Sequence, residues 1–243
     1  MKPTVLITGA SRGIGQAIAI AFAKAGYHLV ITCSKTEKDL LILAETLKTN
    51  YSTEVLTSIG DIADYHYVNQ LFQTIQETFG SIDVLVNNAG ISYVGLLTDM
   101  SIEDWNHIVN TNLTSVFSTC KHAIPDMVRK QSGKIINISS VWGNVGASCE
   151  VAYSACKGGM NSFTKALAKE LAPSNIQVNA IACGCIDTRM NACFSEEDRL
   201  ALAEEIPSGR FGTPEEVANL VLTLAEGHAY LTGQIITLDG GWT

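Results

Sequence analysis

The sequence predicts a doubly wound α/β fold with one parallel sheet and helices on both faces. Three observations predict it. Short apolar runs alternate with longer segments of helical period along the 243 residues. Several of those runs, VLI, VLV and KIINI, are almost continuously apolar, as strands buried on both faces are. A glycine-rich turn separates the first run from the first helical segment, and regular β–α alternation closes into a parallel sheet through right-handed crossovers.

The elements follow in order. Val5–Thr8 reads as a strand, Gly13–Ala25 as a helix closed by Gly26, and Leu29–Thr32 as the second strand. Lys38–Thr49 repeats Leu40, Leu41, Leu43, Ala44 and Leu47 at helical spacing. Glu54–Ile59 is a strand, Asp64–Phe79 a helix ended by Gly80, and Val84–Val86 lies in the fourth strand. A helical stretch with a break runs from Ser101, Glu103 and Asp104 to Lys130. Ile135–Ile138 is the fifth strand, Val151–Leu171 a long helix stopped before Pro173, and Ile176–Ile181 the sixth strand. Thr213 before Pro214 marks the start of a helix to Ala225, because proline suits the first helical position. Ile235–Leu238 is the last strand. No linker or repeat divides residues 1–243, so a single domain is expected. The pattern breaks only at Asn191–Arg210, rich in acids and followed by Gly212. That segment reads either as a solvated helix face or as a substrate lid over about 191–210.

Composition narrows the function. Sixteen basic and 24 acidic residues leave a net charge of −8, and 47% of residues are apolar while 16% are charged. Disorder is excluded by that balance. Nucleic acid is not an expected partner, because the average field repels phosphate backbones. No membrane span is expected: the longest uncharged runs, Trp105–Cys120 and Leu171–Ile186, fall short of about 20 apolar residues and carry polar side chains. The chain shows no signal peptide, and its seven cysteines are irregularly spaced, so a cytoplasmic location with reduced thiols is expected. No metal site is expected, since Cys183-x-Cys185 has no second pair or nearby histidine.

Thr8-Gly9-Ala10-Ser11-Arg12-Gly13-Ile14-Gly15 stands between the first strand and first helix. Glycines there let the backbone approach a pyrophosphate, and a helix N-terminus offers unpaired N–H groups. Near the other end of the sheet, Tyr153 and Lys157 are one helical turn apart and share a face. A phenol is a weak acid–base catalyst at neutral pH, and a nearby ammonium is expected to lower its pKa. Ser140 lies 13 residues before Tyr153.

With these residues in place, the sequence resembles the short-chain dehydrogenase/reductase family over nearly its whole length. The glycine turn matches that family's TGxxxGxG, Asn87-Asn88-Ala89-Gly90 its NNAG motif, and Ser140, Tyr153, Lys157 and Asn112 its catalytic set. The resemblance implies a Rossmann fold with a seven-stranded sheet, usually assembled as a homotetramer. It implies that Tyr153 protonates a carbonyl oxygen, Ser140 orients it, Lys157 holds the nicotinamide ribose and tunes Tyr153, and Asn112 supports a proton relay. The thirteen-residue spacing favours Ser140 over Ser139. Cofactor contacts are implied for Gly9, Ser11, Arg12, Gly13, Ile14, Gly15, Asn88, Ala89 and Gly90, with Asp61 and Ile62 at the adenine. Gly184, Ile186 and Thr188 match a PG-x-I-x-T segment that holds the carboxamide, with Cys183 in place of its proline. That exchange adds an N–H and a thiol near the cofactor.

After the second strand the sequence has Thr32-Cys33-Ser34-Lys35 and no carboxylate, where NAD sites place an acid. With Arg12 and Lys35 able to face a 2′-phosphate, NADP(H) is the expected cofactor. The pattern is most similar to bacterial 3-oxoacyl-(acyl-carrier-protein) reductases, which implies a thioester substrate in fatty acid synthesis. Arg129 and Lys130 match positions where such enzymes dock acyl carrier protein, and equally read as solvated helix-end charges. Glu150, where those reductases commonly have Gln, with Trp142 and Cys149 nearby, keeps a sugar, polyol or other small-alcohol dehydrogenase as the alternative. A non-catalytic dinucleotide-binding regulator is less compatible with the complete catalytic set.

Overall fold

The computed structural model describes residues 2–189 and 195–243. Part of the expected lid, with Cys193, therefore lies outside the described residues. Among the described residues the strands are β1 (Thr4–Ile7), β2 (His28–Cys33), β3 (Val55–Ile59), β4 (Val84–Asn87), β5 (Gly133–Ser140), β6 (Ile176–Cys183) and β7 (Ile235–Leu238). They form one sheet in the order β3-β2-β1-β4-β5-β6-β7. Every pairing is parallel. The doubly wound, seven-stranded expectation is met.

The apolar runs now have a physical cause. In β1, Val5 and Ile7 enter one core while Leu6 enters the other. The same alternation splits Leu29 and Ile31 from Val30 in β2, and Val84 and Val86 from Leu85 in β4. Both faces are dry, so both side-chain sets must be apolar. The first core is covered by α1 (Gly13–Lys24), α2 (Glu37–Tyr51) and, farther along the chain, the helix Pro214–Glu226. The second is covered by α3 (Tyr65–Phe79), a helix at Ser115–Lys130 and another at Val151–Leu171.

The expected break before Lys130 is a π-helical turn. α4 (Ile102–Val109) passes through Asn110–Thr114 into α5 (Ser115–Lys130). Beyond β5 comes a short helix that the periodicity did not suggest, α6 (Trp142–Val145), then α7 (Val151–Leu171). α8 (Glu196–Glu205) is the described part of the charged segment, and α9 (Pro214–Glu226) follows. α8 has no buried residue, and its Leu200 is two-thirds exposed. It is a solvated helix stopped at its start by a Ser195–Asp198 capping box. α9 begins with the expected Thr213 cap and Pro214. No described helix is long and apolar enough to cross a membrane.

Because all strands run the same way, the loops after β1, β4, β5 and β6 gather at one edge. The strand order reverses between β1 and β4, and a doubly wound sheet opens its ligand crevice at that point.

Candidate active site

The glycine turn joins β1 to α1 as the sequence predicts. Gly9 has φ +66°, and a Cβ there would come within 2.9 Å of the Ala89 backbone. A Cβ on Gly15 would stand 2.3 Å from the Gly9 carbonyl oxygen and 2.5 Å from the Asn88 amide nitrogen. Both positions therefore require glycine. The turn is stapled to β4: Asn88 Nδ2 donates to the carbonyls of Thr8 and Gly9 at 2.9 and 3.0 Å. In return Thr8 Oγ1 accepts from the Asn88 and Ala89 N–H groups, each at 3.0 Å. Thr8 is a positioning residue that the glycine spacing alone did not single out.

Arg12 precedes α1 in an extended conformation, with no side-chain cap on the helix and no acid in its first turn. α4, α8 and α9 by contrast begin with side-chain caps and early acids. The N–H groups at the start of α1 are thus left for an anion. This bare, glycine-lined helix end fits the pyrophosphate of a dinucleotide. The loop after β2 closes on it, since Thr36 Oγ1 donates to Ser11 Oγ at 2.6 Å. That bond ties the segment holding exposed Ser34 and Lys35 to the turn that holds exposed Arg12, while the nearest following carboxylates, Glu37 and Asp39, belong to α2. Of the two residues expected at the adenine, Ile62 is buried, and the exposed Asp61 carboxylate accepts from Ala63 N–H at 3.0 Å.

On the nicotinamide side, Thr188 packs towards the glycine turn: a Cβ on Gly13 would lie 3.4 Å from its methyl. Ile186 bridges to Gly212, and Gly184 N–H donates to Leu238 O at 2.9 Å. Cys183 ends β6 inside the sheet. Burial pushes its thiol up to about 12, and that of Cys185 up to about 11. Thiols so protonated are poor nucleophiles, which argues against a redox role for the pair. Among the described residues no group of three His, Cys, Asp or Glu side chains could hold a metal.

The chemical residues converge at the same edge. Ser140 is the last residue of β5, and its Oγ accepts from the Trp142 backbone N–H at 3.2 Å. Ser139 faces the other way: its hydroxyl donates to Asn161 Oδ1 at 2.6 Å, inside the packing of α7. The pleat thus decides between the adjacent serines in favour of Ser140. Lys157 is buried, and its ammonium donates to Ile138 O at 2.8 Å. Burial lowers its pKa to about 8. Its Nζ lies 5.5 Å from the Tyr153 ring centre. The Asn112 amide is clamped on both sides by Ile91, accepting from its N–H at 2.9 Å and donating to its carbonyl at 2.8 Å. The π-helical turn is what carries this side chain inward; such turns recur at functional sites. A Cβ on Gly90 would meet Asn112 Oδ1 at 2.9 Å and Lys157 Nζ at 3.7 Å, so these three residues share one cleft.

The sequence reading has Lys157, together with the positive ring of an oxidised cofactor, lowering the Tyr153 pKa; the protein's own groups act the other way. In the structure burial dominates and raises it well above its ordinary value; Ser140 opposes the rise, and Cys183, Glu150 and Cys156 add to it. Desolvation disfavours the charged phenolate. The phenol is held as the protonated acid.

Chain-wide comparisons agree with this arrangement. The short chain dehydrogenase family profile matches residues 3–199. The chain belongs to the short-chain dehydrogenase family. Among curated relatives it is 43% identical to a 3-oxoacyl-[acyl-carrier-protein] reductase of Aquifex aeolicus, over 97% of this chain and 95% of that protein. It is 40% identical to a reductase of the same name from Chlamydia trachomatis, over 99% and 97%. It is also 39% identical to an uncharacterized oxidoreductase of Bacillus subtilis, over 100% and 99%. Among solved structures it superposes with TM-score 0.95 and 30% identity on an NADPH-dependent reductase involved in bacilysin biosynthesis, covering 100% of this chain and 99% of that one. A variant of actinorhodin polyketide ketoreductase with NADPH gives TM-score 0.94 and 33% identity, covering 99% and 97%. This short-chain dehydrogenase is therefore an oxidoreductase that uses a nicotinamide dinucleotide.

Asn137, Thr119 and Thr164 were not singled out by sequence reasoning, although Asn137 interrupts the apolar run of β5, which was the available signal; Asn87 was, as the first residue of Asn87-Asn88-Ala89-Gly90. Thr119 donates to Asn87 Oδ1 at 2.7 Å, Asn87 Nδ2 to Asn137 Oδ1 at 2.8 Å, and Asn137 Nδ2 to Thr164 Oγ1 at 2.9 Å. This buried chain of bonds ties α5, β4, β5 and α7 together beneath the site. The expected docking pair is internally paired: Arg129 bonds Asp126 at 2.7 Å and Lys130 bonds Asp83 at 2.8 Å.

Proposed function

We propose that this protein reduces a 3-oxoacyl thioester to the 3-hydroxyacyl thioester with NADPH. The observation that carries the substrate class is the full-length similarity, at about 40% identity, to reductases so named. Glu150, the departure that favoured a hydroxyl- or amine-bearing substrate, is half-buried at the start of α7, and burial raises the pKa of its carboxyl.

Gly9, Gly13, Gly15 and the α1 N-terminus would hold the pyrophosphate, Arg12 and Lys35 the 2′-phosphate, and Thr188 with Ile186 the carboxamide. When bound, the cofactor supplies hydride to the carbonyl carbon. Tyr153 gives its proton to the carbonyl oxygen as negative charge develops there. Ser140 donates a hydrogen bond to the same oxygen, and both groups act because they are aimed before the reaction starts. The raised phenol pKa suits this direction, since a proton donor must be protonated at working pH. Lys157, near its own pKa at mildly basic pH, can return a proton toward Tyr153, with Asn112 fixing the Gly90 side of the cleft.

Absence of a carboxylate after β2 and the exposed pair Arg12 and Lys35 support NADPH over NADH. NADPH oxidation should be followed with acetoacetyl-CoA, a 3-oxoacyl carrier-protein thioester, simple ketones and sugars. Turnover of a thioester is expected, and the better thioester separates a carrier-protein partner from coenzyme A. Activity confined to sugars or polyols would move the assignment to a small-alcohol dehydrogenase.

A further inference from the structure

The residues Asp239–Thr243 follow β7 and curl back on Asp239. The Asp239 carboxylate fixes the curl by accepting from Gly241 N–H at 2.9 Å, Thr243 N–H at 2.9 Å and Thr243 Oγ1 at 3.0 Å. On one side the curl presses on the nicotinamide segment: a Cβ on Gly184 would stand 2.6 Å from Asp239 Cβ. On another, Gly240 O accepts from Ser208 N–H at 3.1 Å and from Ser208 Oγ at 2.9 Å, just past α8. The result is that Trp242 meets Trp142, with ring centres 5.0 Å apart and planes at 59°.

Trp142 is no remote surface residue. It stands two residues after Ser140, and its backbone N–H donates to the Ser140 hydroxyl at 3.2 Å. We propose that Trp242, held by the Asp239 curl against Trp142, forms an aromatic wall beside Ser140 and Tyr153 that limits the size of the acyl group reaching them. Both indoles are partly exposed, so the pair is not part of the core. Two large rigid rings in contact define a boundary at little entropic cost. Trp242 is thus a specificity-determining residue, and Asp239 positions it. The substrate class rests on the thioester reading above; the wall itself rests on the ring geometry.

The test compares kcat/KM for acetoacetyl-CoA with that for a longer or α-branched 3-oxoacyl thioester, in the parent protein, Trp242→Ala, Trp242→Phe and Trp142→Ala/Trp242→Ala. Trp242→Ala should shift the ratio towards the bulkier substrate by roughly tenfold or more, chiefly through KM. Trp242→Phe should largely restore the parent ratio. The double variant should shift no further than Trp242→Ala, because the two rings act as one unit. NADPH affinity, read by its fluorescence, should stay within about twofold, which separates a wall from general damage to the fold. A ratio unchanged in a folded, NADPH-binding Trp242→Ala overturns the proposal. Should Trp242→Ala not fold, Trp242→Leu replaces it under the same criterion. A parent protein that reduces small and bulky ketones but no thioester overturns the thioester reading alone, and the ratio for those ketones then decides the wall. A parent that reduces no carbonyl overturns both.

Discussion

Asn137→Ala should destabilise the protein by about 2–4 kcal/mol, although Asn137 belongs to no motif of the glycine turn or the chemical set. Asn137 is fully buried in β5 and exchanges two side-chain hydrogen bonds, one with Asn87 and one with Thr164. Loss of the Thr164 bond costs about 1 kcal/mol net, and the buried Asn87 amide left without its oxygen partner costs about 1–3 kcal/mol more. Thr164 keeps its bond to Met160 O at 2.8 Å, so its hydroxyl is not stranded. For a chain of this size each kcal/mol lowers Tm by about 2–4 °C, giving a drop of roughly 4–16 °C. Thermal unfolding followed by circular dichroism reads this directly. Combining Asn137→Ala with Thr164→Val should cost less than the two added, because both remove the same bond. A Tm within about 2 °C of the parent would show that the chain of buried amides contributes nothing net, and the reasoning from stranded donors would be wrong.

Tyr153→Phe should cut turnover by roughly a thousandfold or more while NADPH affinity stays within about twofold, since only the donated proton is lost; fluorescence titration and a steady-state assay together read this. Arg12→Glu should weaken NADPH by roughly 10–100-fold and leave NADH nearly unaffected, the range a charge-assisted phosphate contact commands; equal losses for both cofactors would remove Arg12 from the 2′-phosphate site. Carbonyl reduction should fall as pH rises through about 8, where Lys157 loses its charge. The same group makes folding more favourable from about pH 8 up to its unfolded value of 10.5, because in that window the unfolded chain binds the extra proton. A kcat profile flat to pH 10 would detach Lys157 from turnover. Cys183→Ser should leave activity resistant to mild peroxide just as in the parent, because the thiol is held protonated near 12; peroxide inactivation that the serine abolishes would restore a redox role.

The motifs that place the site were legible because they are local. Thr8–Gly15, Asn88–Gly90, Ser140, Tyr153 and Lys157 are specified by short spacings, and a parallel sheet delivers every strand's following loop to one edge. Trp142 and Glu150 were visible as departures, but the packing of Trp142 on Trp242 was not. α6 escaped notice because four residues give too little periodicity to detect.

By itself the sequence determined the alternation of β and α elements, the two buried faces of the sheet, and the glycine cradle. Each of those follows from the side-chain period along a single element or from backbone freedom at one residue. The tertiary structure alone decided that Ser139 bonds Asn161, that Asn87 reaches Asn137 across 50 residues of chain, and that Trp242 packs on Trp142. It also showed burial opposing the shift expected for Tyr153. A sequence carries the identity of a neighbouring charge, but desolvation depends on everything that excludes water around the group, and only the packed fold supplies that.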